Sequence, residues 1–110
     1  MSTTADGPRG RGARVAAELE RRLRAAFAPQ HLVIRDDSER HRGHAGWREG
    51  GGTHFSVTIV SEAFRGLSRL ERQRRVYAAV GDLMGAPVHA LQVTAKTPEE
   101  AERARSASGT

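Results

Sequence analysis

The chain has 110 residues and a net charge of +5, with 18 Lys+Arg against 13 Asp+Glu and no cysteine. That length suits one domain with a modest core rather than two. A cysteine-free chain excludes a disulfide framework, a thiolate metal site of its own and a thiol nucleophile. No run approaches the roughly 18 apolar residues that a membrane span needs. The polar opening residues lack the apolar stretch of a signal peptide, so the expected location is the cytoplasm. A basic balance favours acidic partners, nucleic acid among them. Nearly all of the positive charge is arginine, with Lys96 the only lysine, a bias that a GC-rich coding sequence also produces.

Residues 1–12 are small, polar and rich in Gly and Pro, and are expected to form a disordered tail. The composition of residues 103–110 predicts the same, which leaves 13–102 as the folded domain. From Ala13 to Ala28, Val15, Leu19, Leu23 and Phe27 recur every fourth residue, the spacing of a helix with one apolar face, and Pro29 ends it. A first strand follows over His31–Asp36. Residues 37–52 form a long polar loop holding Gly43, Gly46 and the Gly50–Gly52 triplet. A loop of this length in so small a domain is unusual without a function. The second strand is expected over Thr53–Val60, with Phe55, Val57 and Ile59 facing the core and His54 on the outer surface.

Ser68 and Glu71 form a capping box that opens a second helix, expected to run to Met84 with Leu70, Tyr77, Val80 and Met84, helped by Val76 and Leu83, as its apolar stripe. Gly85 and Pro87 end it. The third strand is expected over Val88–Ala95, opened by His89. Thr97-Pro98-Glu99-Glu100 is a helix start: a Thr cap, Pro in the first turn and Glu at the third position. The order α-β-β-α-β-α suits an α+β fold, with helices packed on one face of a three-stranded mixed sheet.

No catalytic constellation emerges. The serines sit in no nucleophile-elbow context, there is no phosphate-binding loop, and Gly50–Gly52 precedes a strand rather than a helix. The adjacent pairs Asp36-Asp37 and Glu99-Glu100 read as solvated surface. Among the histidines, His41 and His44 lie three apart in the glycine-bearing loop, and neutral imidazole is a common metal ligand. Solvated loop histidines are the alternative, and Arg40 and Arg42 oppose a dication. His89 opens a strand on a side otherwise apolar; it reads either as a ligand or as a strand-end residue satisfied by backbone. Arg69, Arg72 and Arg75 fall at threes, with Arg74 and Arg65 nearby, so they form a ridge able to track phosphates. A solvated helix face is the alternative there.

Several strings together resemble the BolA family: Asp36-Asp37-Ser38-x-x-His41, Thr53-His54-Phe55-Ser56-Val57, Ile59-Val60-Ser61-x-x-Phe64-x-Gly66, Arg72-Gln73-Arg74-Arg75-Val76-Tyr77 and Val88-His89-Ala90-Leu91. The resemblance spans residues 14–100. It implies a class II KH-like fold and a non-enzymatic adaptor. Such a protein pairs with a monothiol (CGFS) glutaredoxin and shares a bridging 2Fe–2S cluster with that partner and glutathione, in iron–sulfur trafficking or iron and redox regulation. By the same resemblance His89 is one ligand and His41 the other, with His44 able to substitute. Histidine ligation raises a cluster's potential relative to all-thiolate ligation and makes binding pH-dependent. The family often has Arg-His-Arg ahead of Val-Tyr, where this chain has Gln73. The second function the resemblance implies is a DNA-binding transcriptional regulator using Arg65, Arg69, Arg72, Arg74 and Arg75. The free protein is expected to be a monomer or a weak homodimer.

Overall fold

The computed structural model describes residues 8–37, 54–85 and 87–108. Three strands, β1 (His31–Asp36), β2 (His54–Val60) and β3 (Ala90–Lys96), form one sheet in the order β1-β2-β3. β1 runs antiparallel to β2, and β3 runs parallel to it. Three helices accompany them: α1 (Pro8–Phe27), α2 (Arg69–Val80) and α3 (Pro98–Ser108). The expected α+β class, mixed sheet and element order are all present.

Strand alternation supplies one wall of the core. Phe55, Val57 and Ile59 are buried, and in the register of the sheet they align with Leu32 and Ile34 of β1 and with Leu91, Val93 and Ala95 of β3. The fourfold spacing on α1 supplies the facing wall, since Val15, Leu19, Leu23 and Phe27 join the same buried cluster. A one-residue slip of any strand would turn its apolar set outward, so burial sets the register. Phe27 and Phe64 meet with ring centroids 5.0 Å apart. The buried Ser61 hydroxyl ties the two ends together: it donates to the Phe27 carbonyl at 2.6 Å and accepts from the Ala63 N–H at 3.0 Å.

Several boundaries differ from the sequence reading. α1 begins at Pro8 and α3 continues to Ser108, so residues 8–12 and 103–108, expected as tails, are helical. α2 ends at Val80, and Gly81–Leu83 tighten into a 3-10 turn. Gly81 has φ +61° and ψ −129°, a conformation that breaks the helix and that a side chain would strain.

The buried face of α2 differs from the expected one only in part, since Val76 and Val80 belong to the expected stripe. Val76 and Val80 are fully buried, while Leu70 is 59% exposed and Tyr77 38%. Arg72, four residues before Val76, takes the inward row instead, with its side chain 12% exposed. It can do so because Glu100 neutralises it there. Ser68 accepts from the Glu71 N–H as expected, but the Glu71 carboxylate turns to Arg75 at 3.1 Å. The reciprocal capping box forms at α3: Glu100 N–H donates to Thr97 Oγ1 at 3.2 Å, and Thr97 N–H donates to Glu100 Oε1 at 2.9 Å.

Candidate functional site

His89 stands just ahead of β3, not within it as the strand pattern predicts. Val88 is fully buried and its backbone is engaged on both sides: its N–H donates to the Leu83 carbonyl at 2.9 Å, and its carbonyl accepts from Gly85 N–H at 2.7 Å. Gly85 makes this turn with φ +96°, which a residue with a side chain adopts only under strain. The chain therefore re-enters the sheet two residues later than the sequence pattern predicts. His89 is exposed, and among the described residues its imidazole has no hydrogen bond or ion pair.

The topology sets what lies beside it. β1 ends, and β2 and β3 begin, at the same end of the sheet. Asp37 N–H donates to the His54 carbonyl at 2.7 Å, and His54 is the register partner of Ala90. Asp37, His54 and Ala90 thus form one row across the sheet, with His89 next in the chain. Asp37 and His54 are also the two roots of the long loop. His41 and His44 lie outside the described residues, but the segment that carries them leaves and rejoins the sheet at the His89 end.

Both roots are held. The Asp37 carboxylate accepts from the Ser56 hydroxyl, and its side chain is 14% exposed. Asp36 is exposed, but the expectation that the Asp36-Asp37 pair is simply solvated surface is corrected for Asp37. The strand pairing brings Ser56 under Asp37, which adjacency in sequence could not reveal. His54, expected at the surface, is 7% exposed. His31 is exposed at the far end. Among the described residues no group of three His, Asp or Glu side chains could hold a metal ion. A metal at His89 therefore takes its other donors from the loop or from another molecule.

The basic ridge divides by its partners. Arg65 bonds Glu62 and Glu99, each at 2.7 Å, and these carboxylates raise its pKa further. Arg72 is spent on Glu100 and on two carbonyls. Arg75 pairs with Glu71 at 3.1 Å, and Arg74 approaches the same carboxylate at 3.9 Å. Arg69 is exposed with no ion pair among the described residues. The five arginines therefore do not present one uniform cationic face.

A small α+β domain with an exposed histidine at the head of a strand, beside both roots of the 38–53 segment, is the class of protein defined here. The family model described as BolA-like protein matches residues 23–100. Human BolA-like protein 1 is 43% identical over 86 residues, covering 78% of this chain and 60% of the human protein. The DNA-binding transcriptional regulator BolA of Escherichia coli is 38% identical over 84 residues, 76% of each chain. The solved BolA domain of SufE1 from Arabidopsis thaliana superposes with a TM-score of 0.68 at 38% identity, over 82% of this chain and 94% of that domain. The chain belongs to the BolA-like family. It spans about three-fifths of the length of its human relative. Among the described residues no helix is long and apolar enough to cross a membrane.

Proposed function

We propose that this protein is a non-enzymatic adaptor. His89 and a histidine of the 38–53 loop, His41 or His44, would complete a 2Fe–2S cluster whose sulfur donors come from a monothiol glutaredoxin and glutathione. The observation that carries this reading is the shared sheet end: an exposed imidazole with no partner among the described residues stands beside both roots of the histidine-bearing loop. A neutral imidazole with a free ring nitrogen suits a borderline iron site, and a cysteine-free chain needs its thiolates from elsewhere. Bound there, the cluster would supply electron transfer or transferable iron and sulfide. The chain's own part is to present nitrogen donors and to hold the loop roots in place. That the solved SufE1 domain is a BolA domain within a larger protein fits a module that works joined to others.

The test is to mix the protein with a CGFS glutaredoxin, glutathione, iron and sulfide. A visible-absorbing heterodimer is expected, with a circular dichroism spectrum that His89→Ala changes or abolishes. An unchanged spectrum in that variant removes the ligand assignment.

A second reading is DNA binding, the activity named for the Escherichia coli relative. The exposure of Arg69 and Arg74 on α2 supports it. Here affinity would fall steeply with salt, and absence of binding at low salt would end it.

A further inference from the structure

We propose that Tyr77 is the positioning residue for His89, acting through a single hydrogen bond to the β3 backbone. This rests on the reading of His89 as a ligand. β3 lies at the sheet edge. The Lys96 carbonyl turns inward to accept from Ser61 N–H at 3.0 Å, so by strand alternation the carbonyls of Leu91, Val93 and Ala95 point outward with no strand to receive them. Tyr77 reaches across from α2 and donates its hydroxyl to the Leu91 carbonyl at 2.9 Å. This is the outward carbonyl of β3 nearest His89.

His89 therefore lies in a short stretch between two anchors, with Ala90 after it already paired to His54 of β2. On one side Val88 is buried and bonded to Leu83 and Gly85. On the other, Leu91 is packed in the core and its carbonyl is held by Tyr77. Two residues between fixed points leave the backbone little freedom, so the imidazole is displayed with most of its ordering cost already met. A ligand on a fraying strand end would lose affinity to the entropy of capture.

The hydroxyl contributes little else. Tyr77 is 38% exposed, so phenylalanine would keep most of the ring's contacts, and water can reach the Leu91 carbonyl in its place. What water cannot do is tie β3 to α2. The fold would survive loss of the hydroxyl while His89 would not stay in place, which separates positioning from a structural role. Supporting groups of this kind typically change metal affinity by 10–100-fold.

The experiment uses the full chain, alone and in its cluster-loaded complex with a CGFS glutaredoxin and glutathione. In the free chain, NMR relaxation reads backbone order at His89 and Ala90. Tyr77→Phe should lower it from the rigid range, about 0.85, toward 0.6 or below, with the amides of β2 unchanged. In the complex, Tyr77→Phe should speed chelator-driven loss of the visible signal about tenfold. Placing 4-aminophenylalanine at position 77, which keeps the ring and an N–H donor, should restore both. Unchanged order at His89, or unchanged cluster release in a complex whose spectrum His89→Ala does alter, overturns the positioning role alone. A spectrum that His89→Ala leaves intact overturns the ligand reading and this proposal with it.

Discussion

The Arg72 guanidinium holds the Glu100 carboxylate through two hydrogen bonds, 2.6 Å to Oε1 and 3.1 Å to Oε2. The same side chain donates from Nε to the Leu67 carbonyl at 2.9 Å and from Nη1 to the Ala95 carbonyl at 3.1 Å. One arginine thus joins α2, β3 and α3. Bidentate geometry and near-complete burial of the cation set this pair apart from the exposed ion pairs on the same helix. Arg72→Ala should cost about 2–3 kcal/mol, because the loss strands two carbonyls and a carboxylate. Arg74→Ala should stay within about 0.5 kcal/mol. Urea denaturation of the two variants separates these outcomes.

The same geometry bears on the pH dependence of stability. The Arg72 guanidinium, then the Thr97 N–H, lower the Glu100 carboxyl from the usual 4.5 to about 2. The unfolded chain takes up this proton near 4.5, whereas the folded chain resists until about pH 2. The stabilisation is therefore complete above pH 4.5 and is lost as pH falls toward 2. Between pH 5 and 2 the urea midpoint of the natural protein should fall more steeply than that of Glu100→Gln. Parallel curves would show that Glu100 contributes nothing in this window.

Gly81 ends α2 in a conformation that strains other residues, and a Cβ built there would lie 3.3 Å from Arg22 Nη1. That guanidinium is already occupied, donating to the Val80 carbonyl and to Asp82 at 2.9 Å. Gly81→Ala should destabilise by about 1–3 kcal/mol from backbone strain. The loss should appear in the thermal midpoint without a change in the circular dichroism of the folded state.

His89→Ala removes an exposed side chain with no partner among the described residues. Its unfolding free energy should match the natural protein's within about 0.5 kcal/mol. A large loss would reveal a structural role for the ring and weaken the ligand reading.

If α2 meets DNA, the arginines that remain available should carry it. Neutralising Arg69 and Arg74 together should reduce the salt slope of log affinity by roughly 0.9 for each phosphate contact removed. Arg72→Gln should leave the slope nearly unchanged in any variant that stays folded, because that charge is directed at Glu100. Fluorescence anisotropy with a short duplex across a salt series measures both.

Local signals in the chain were enough to place the elements. Every-fourth-residue spacing in α1, alternation in β2 and the Thr97–Glu100 cap each act within a few residues, and each survives in the folded molecule. The inward face of α2 was legible only in part: Val76 and Val80 follow from the stripe, the inward Arg72 does not. A hydrophobic stripe drawn through Leu70 and Tyr77 takes no account of a charge whose neutralising partner lies 28 positions away. The enclosure of Asp37 escaped for the same reason, since its partner Ser56 lies 19 positions away.

By itself, then, the sequence determined the periodicities, the breaks between elements and the supply of imidazoles and guanidinium groups. Tertiary structure decided which of these side chains are spent and which are left over. It consumed Arg72 in a three-element tie, left His89 without a partner among the described residues, and set it beside the roots of the histidine-bearing loop by running β2 and β3 in parallel from one end. The physical reason is that propensity and amphipathicity act over a turn or a strand. The availability of a polar group depends on partners that only chain crossing brings within hydrogen-bond reach.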